Sequence, residues 1–247
     1  MTMKVLAVTG GMSDGSASVH LATEIARAAA EAMGGAATEV VSLRPYARDI
    51  ADAMVTGFPS PHLEELFTKV EQADAIVAVT PIYNALPSGL FISFFDVLPE
   101  DVLRSKPVAL GATGGSPRHS LIIEHSMRPL MVYLHAVVPT TAVYAATEDW
   151  GAPGVGFDAT AGQTLAQRIQ REGAELAMLL LLESHAPLHA READAPEGTR
   201  TGVDGDRNEA VSQAEATRSK PEKANPSELE DATKYFPDFV DFEKLMK

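Results

Sequence analysis

Apolar residues follow two alternating periods along this chain, and the alternation bounds the fold. Val5, Leu6, Ala7 and Val8 form a continuous apolar run, the pattern of a strand buried on both faces of a parallel sheet. From Ser18 the period lengthens. Val19, Ala22, Ile25, Ala26 and Ala29 recur at helical spacing, with Glu24, Arg27 and Glu31 on the other side. Gly34 and Gly35 break that helix before a second strand over residues 36–43, and residues 44–59 read as connecting structure. Leu63, Leu66, Phe67 and Val70 mark one face of a helix after Pro61, and residues 73–80 (ADAIVAVT) form a third buried strand. The same pattern predicts a helix over 88–98, a strand over 107–113, a helix over 119–135 and a fifth strand over 136–145. A long amphipathic helix over 159–184 closes it.

Five alternations of strand and helix with short connections, and no Asn-Gly type hairpin between apolar runs, predict an α/β fold. It is a doubly wound parallel sheet with helices on both faces. Such folds bind ligands beyond the C-terminal strand ends. Three unusual segments each follow a predicted strand and should therefore share one rim: residues 10–18, residues 81–87 and residues 113–116.

The first, GGMSDGSAS, turns from a strand into a helix, so backbone N–H groups and the positive end of a helix dipole face the rim and favour a phosphate. Ser13, Ser16 and Ser18 add hydroxyl donors; the plain alternative is that Ser16 or Ser18 caps the helix. No Lys follows Gly15 as a Walker loop requires, and Gly10, Gly11 and Gly15 do not spell GxGxxG. The other two segments bring an aromatic at Tyr83, an amide at Asn84 and the free backbone of Gly114 and Gly115. Ser116 and His119 are three apart, but GGSPR is not a nucleophile elbow and the spacing also fits a cap. His20, His62, His125, His135, His185 and His189 show no metal-ligand spacing. A planar, polar-edged ligand with a phosphate tail, such as flavin mononucleotide, suits this rim better than a hydrolysed substrate.

Composition narrows the partners. A net charge of -14, from 34 Asp and Glu against 20 Lys and Arg, argues against nucleic acid and anionic membrane surfaces. The absence of cysteine removes disulfides, thiolate chemistry and cysteine-held metals. The first strand begins by Met3 and no apolar run approaches a membrane span, so the expectation is a cytoplasmic protein without a signal peptide. Residues 1–185 are expected to form one domain. Residues 186–234 are polar, lack aromatics and read as a disordered linker. Residues 235–247 restore Tyr235, Phe236, Phe239 and Phe242 and read as a docking segment, in cis or on a partner.

The segments GGMSDGSAS, ARDIADAMVTGFPS, PIYNALPSGLFISFFD, ATGGSPRHSLIIEHSMRPLMVYLHAVVPTTAVYAATEDWG and DFVDFEKL resemble the NAD(P)H-dependent FMN reductases of the flavodoxin-like superfamily. Within it they are most similar to a subgroup that accompanies luciferase-like flavin monooxygenases. The resemblance implies a flavodoxin-like five-stranded sheet of order 2-1-3-4-5. It implies FMN and NAD(P)H as ligands, hydride transfer from reduced nicotinamide to the flavin, and no catalytic acid or base of the protein's own. Ser13, Ser16 and Ser18, with the Ala17 amide, match the phosphate loop. Pro81, Ile82, Tyr83 and Asn84 match the loop against the isoalloxazine, and Thr113, Gly114, Gly115 and Ser116 the loop on its pyrimidine side. His119 and Arg118 stand where that last loop enters a helix, and Arg118 is the candidate cation for a nucleotide 2′-phosphate. Asp14 departs from the small or proline residue usual in the first loop. A homo-oligomer, dimer or tetramer, and a flavin-dependent monooxygenase partner are also implied. The alternatives are a flavodoxin-type electron carrier, a quinone or azo reductase, and a non-enzymatic scaffold.

Overall fold

The computed structural model describes residues 2–13, 15–150 and 163–184. Residues 186–234 and 235–247, expected to be linker and docking segment, and Asp14 lie outside the described residues.

In chain order the elements are β1 (Lys4–Thr9), α1 (Ala17–Ala32), β2 (Ala37–Ser42), α2 (Ala47–Thr56), α3 (Pro61–Gln72), β3 (Ala75–Tyr83), β4 (Leu86–Pro87), α4 (Gly89–Val97), β5 (Val108–Gly114), α5 (Arg128–Tyr133), β6 (Val143–Ala146) and α6 (Leu165–Ser184). Five strands are parallel in the order β2-β1-β3-β5-β6, and the two-residue β4 pairs antiparallel with the end of β3. Counting the parallel strands alone, this is the expected 2-1-3-4-5 arrangement.

Alternate residues of each inner strand feed opposite layers, which is why the strands are apolar throughout. Leu6 and Val8 join a core with Ile50, Leu63, Phe67, Phe91, Phe94 and Met127, while Val5 and Ala7 join one with Leu21, Ile25 and Leu176. Each fully buried Leu or Phe contributes about 1.5–3 kcal/mol of transfer free energy. The α1–α6 layer is tight because its contact residues are small: a Cβ on Gly173 would lie 2.7 Å from atoms of Ala28. Among the described residues, no helix is long and apolar enough to cross a membrane.

Four local features depart from the periodicity. Residues 44–59 hold a helix, α2, ended by Gly57 in the left-handed region at φ 76°; it buries only Ile50 and Ala53, too short a stripe to read as a helix. The stretch 119–135 is broken into a 3-10 turn Pro117–His119, a π-helical turn Ile123–Met127 and α5. Pro129 lacks the N–H that an α ladder would need there, and the wider turn lies just before it. Residues 81–87 are not a simple loop: β3 runs on to Tyr83 and turns into β4 through Asn84 (φ 49°) and Ala85 (φ 61°). Two consecutive positive φ angles form the tight hairpin turn that Asn-Gly usually serves. Finally, β6 is only Val143–Ala146, with one further bridge at Val137. Between them, side chains replace the ladder: Leu110 N donates to Glu172 Oε1 (2.8 Å), Thr141 N to Glu175 Oε2 (2.7 Å), and Arg128 to the carbonyls of Pro139 and Thr140.

Candidate functional site

Because all five long strands run the same way, the segments after β1, β3 and β5 emerge on one rim. Register sets two of them side by side, since Pro81 pairs with Thr113.

The first segment leaves β1 with Gly10 N still bonded to Val79 O (3.0 Å). A Cβ on Gly10 would lie 2.6 Å from Ser88 Oγ and 2.7 Å from Phe91 Cβ, so this position must be glycine for α4 to pack here. Ser16 caps α1, its Oγ accepting from Val19 N (3.3 Å). The N–H groups of Ala17 and Ser18, the first two of that helix, have no intrahelical acceptor. Ser13 and Ala17 are exposed, Ser16 half-buried and Ser18 buried. The Ser18 hydroxyl is bonded to Thr113 Oγ1 at 2.8 Å.

In the second segment Pro81 is buried, Ile82 half-buried, and Tyr83 and Asn84 exposed. Behind them Ser88 is fully buried and hydrogen-bonded through both its hydroxyl and its backbone. Its Oγ donates to Gly10 O (2.9 Å) and accepts from Phe91 N (3.2 Å), and its N donates to Thr80 Oγ1 (3.0 Å).

In the third segment Thr113 is buried, Gly114 and Ser116 half-buried, and Gly115 and His119 exposed. Ser116 Oγ accepts from Arg118 N (3.4 Å). Tyr144 Oη donates to Ser116 O (2.8 Å). Burial raises the Tyr144 hydroxyl above the ordinary tyrosine value, with a smaller push from Asp149, so it remains a donor. The Tyr144 carbonyl accepts from Arg168, which pairs with Asp149 at 2.9 Å, and Asp149 also accepts from Ala146 N (2.7 Å).

All the expected site residues therefore lie on three adjoining segments; buried hydroxyls tie the first to the second (Ser88 to Gly10) and to the third (Ser18 to Thr113), and Tyr144 ties the third to β6. Ser88, Thr80 and Tyr144 carry this support and were not singled out in the sequence. A serine directly after Pro87, at the start of the helix expected over 88–98, is the one signal that could have pointed to Ser88. Among the described residues, no three His, Asp or Glu side chains are grouped as metal ligands.

Residues 3–151 match the model of a family described as NADPH-dependent FMN reductase. The chain belongs to that family. It is 34% identical over 143 residues to the NADH-dependent FMN reductase SfnE of Pseudomonas putida, covering 58% of this chain and 76% of that one. It is 28% identical over 147 residues to an FMN reductase (NADPH) of Pseudomonas aeruginosa, covering 60% and 78%. Among solved structures, an oxidoreductase from Corynebacterium diphtheriae is 37% identical, with a TM-score of 0.66 over 74% of this chain and 99% of that one.

The protein is thus an NAD(P)H-dependent FMN reductase whose substrates are FMN and the reduced nucleotide. The described residues of the first segment offer hydroxyls and free helix amides, and residues 10–18 contain no Lys or Arg. Nothing lies within 4 Å of where a Cβ on Gly115 would stand, so backbone there is open to a flat ligand.

Proposed function

We propose that this FMN reductase holds flavin weakly, exchanges it, and supplies reduced FMN to a separate flavin-dependent monooxygenase of the luciferase-like class. The observation that carries this is the absence of any cation in the phosphate segment, residues 10–18. Neutral donors orient a phosphate without the charge-assisted bonds that would retain it.

In this reading Ser13, Ser16 and the amides of Ala17 and Ser18 receive the phosphate. Pro81, Ile82, Tyr83 and Asn84 lie against one side of the ring. Thr113, Gly114, Gly115, Ser116 and His119 border its pyrimidine edge, with the backbone amides of 114–116 as donors. Bound FMN accepts the hydride of reduced nicotinamide. The chain's task is to hold two planar ligands at reacting distance and to offer fixed donors where negative charge develops. The exposed apolar side chains of Leu121, Val132 and Tyr133 support association with further copies. The aromatic residues Tyr235, Phe236, Phe239 and Phe242 support a docking role for residues 235–247 toward the flavin-consuming partner. A cytoplasmic setting accords with the need for reduced nucleotide.

The test is aerobic NADH and NADPH oxidation by gel-filtered protein with and without added FMN. Oxidation that requires added FMN supports an exchanging reductase. Full activity without it indicates retained flavin, as in an electron carrier or a quinone or azo reductase.

A further inference from the structure

We propose that Tyr144 is a positioning residue for the flavin reaction, fixing the loop 114–116 through the Ser116 carbonyl. The inference rests on the reading above, in which that loop borders the flavin.

Four observations carry it. The Tyr144 side chain is 6% exposed, yet its hydroxyl bonds neither to its own strand nor to β5; it donates to Ser116 O at 2.8 Å. The residue after Ser116 is Pro117, which has no N–H, so the 116–117 peptide can be anchored only at its carbonyl. Gly114 is matched to the tyrosine, because a Cβ there would overlap the Tyr144 hydroxyl. The other end of Tyr144 is also fixed, its carbonyl bonded to Arg168 within the buried Arg168–Asp149 pair. A chain of contacts thus runs from α6 through β6 to one loop carbonyl.

A tyrosine that only filled the sheet edge would use its ring and not its hydroxyl. Removing the hydroxyl separates the two roles. Y144F keeps the ring and loses one hydrogen bond. The expected result is a KM for FMN raised about 3–10-fold, the size of one lost hydrogen bond in a fixed loop. The unliganded melting temperature stays close to that of the parent, and hydrogen exchange accelerates in residues 113–119 but not in α1. An unchanged KM for FMN with unchanged exchange in the loop would overturn the proposal. Should Y144F fail to fold, G114A in the native chain displaces the same hydroxyl and must produce the same faster exchange. The underlying reading fails separately: if the parent protein shows no FMN-dependent NAD(P)H oxidation, the flavin assignment is wrong. If the parent is active and Y144F is indistinguishable from it, only the role of Tyr144 is.

Discussion

Ser18 and Thr113, 95 residues apart, share a 2.8 Å hydrogen bond between buried hydroxyls, and it joins the first turn of α1 to the end of β5. Since α1 crosses over β3 to reach β5, this bond sets the distance between the first rim segment and the third. Thr113→Val keeps the shape and leaves Ser18 buried without its partner, which should destabilise by about 1–3 kcal/mol. The double variant S18A/T113V should cost less than the sum of the singles, with a coupling of about 1 kcal/mol in urea unfolding. Strict additivity would mean that the bond contributes nothing.

Gly114 and Tyr144 form a second matched pair. Gly114→Ala drives a methyl into the tyrosine hydroxyl and should cost about 1–3 kcal/mol, as overpacking does. With the hydroxyl gone the nearest atom of that side chain is the ring carbon Cζ, at 3.1 Å. G114A should therefore be much milder in a Y144F background than in the parent. Thermal melts of the four proteins measure this, and equal penalties in both backgrounds would refute the clash.

The parallel sheet and the three rim segments are legible because each rests on a local signal, apolar runs for buried strands and glycine and serine at strand ends; the strand order comes only from the family resemblance. What was not legible depends on contacts distant in sequence. Ser18 reads as a phosphate donor or a cap, and only the fold shows its hydroxyl engaged by Thr113. The hairpin at Asn84 and Ala85 lacks the glycine that announces such turns. β6 looked continuous from 136 to 145 because Val137, Val138, Ala142 and Val143 are apolar. In the interrupted part Pro139 has no N–H to give a ladder, and carboxylates on α6 and Arg128 take up neighbouring backbone groups, contacts that no periodicity in residues 136–145 encodes.

One of those carboxylates makes stability depend on pH. Glu172 is fully buried and accepts one bond, from Leu110 N, while Oε2 has no partner; burial holds its carboxyl well above its ordinary value of 4.5. The folded state thus binds the proton more tightly than the unfolded chain. Its stabilising contribution is complete below the ordinary value and declines as pH rises toward the folded one. Glu172→Gln stays neutral throughout and keeps an acceptor for Leu110. Relative to E172Q, the parent should lose stability in urea unfolding as pH rises above the ordinary carboxyl value of 4.5 toward the raised one. Parallel pH profiles would show that Glu172 is ionised in the fold.

The turn between β3 and β4 stores strain on the rim, beside Ile82 and Tyr83. Asn84 and Ala85 both sit in the left-handed region, at φ 49° and 61°, and both side chains are exposed, so neither is held there by packing. Asparagine tolerates this conformation through local hydrogen bonding, whereas alanine bears a steric cost of about 1–2 kcal/mol. Glycine removes that cost but adds freedom to the unfolded chain, offsetting about 0.5–1 kcal/mol. Ala85→Gly should therefore stabilise by about 0.5–1 kcal/mol. Asn84→Gly should gain less, because asparagine has less strain to relieve. Urea midpoints of the two variants test the order directly. If N84G gained as much as A85G, the strain would not reside at Ala85, and the tight turn would owe its shape to the strands it joins.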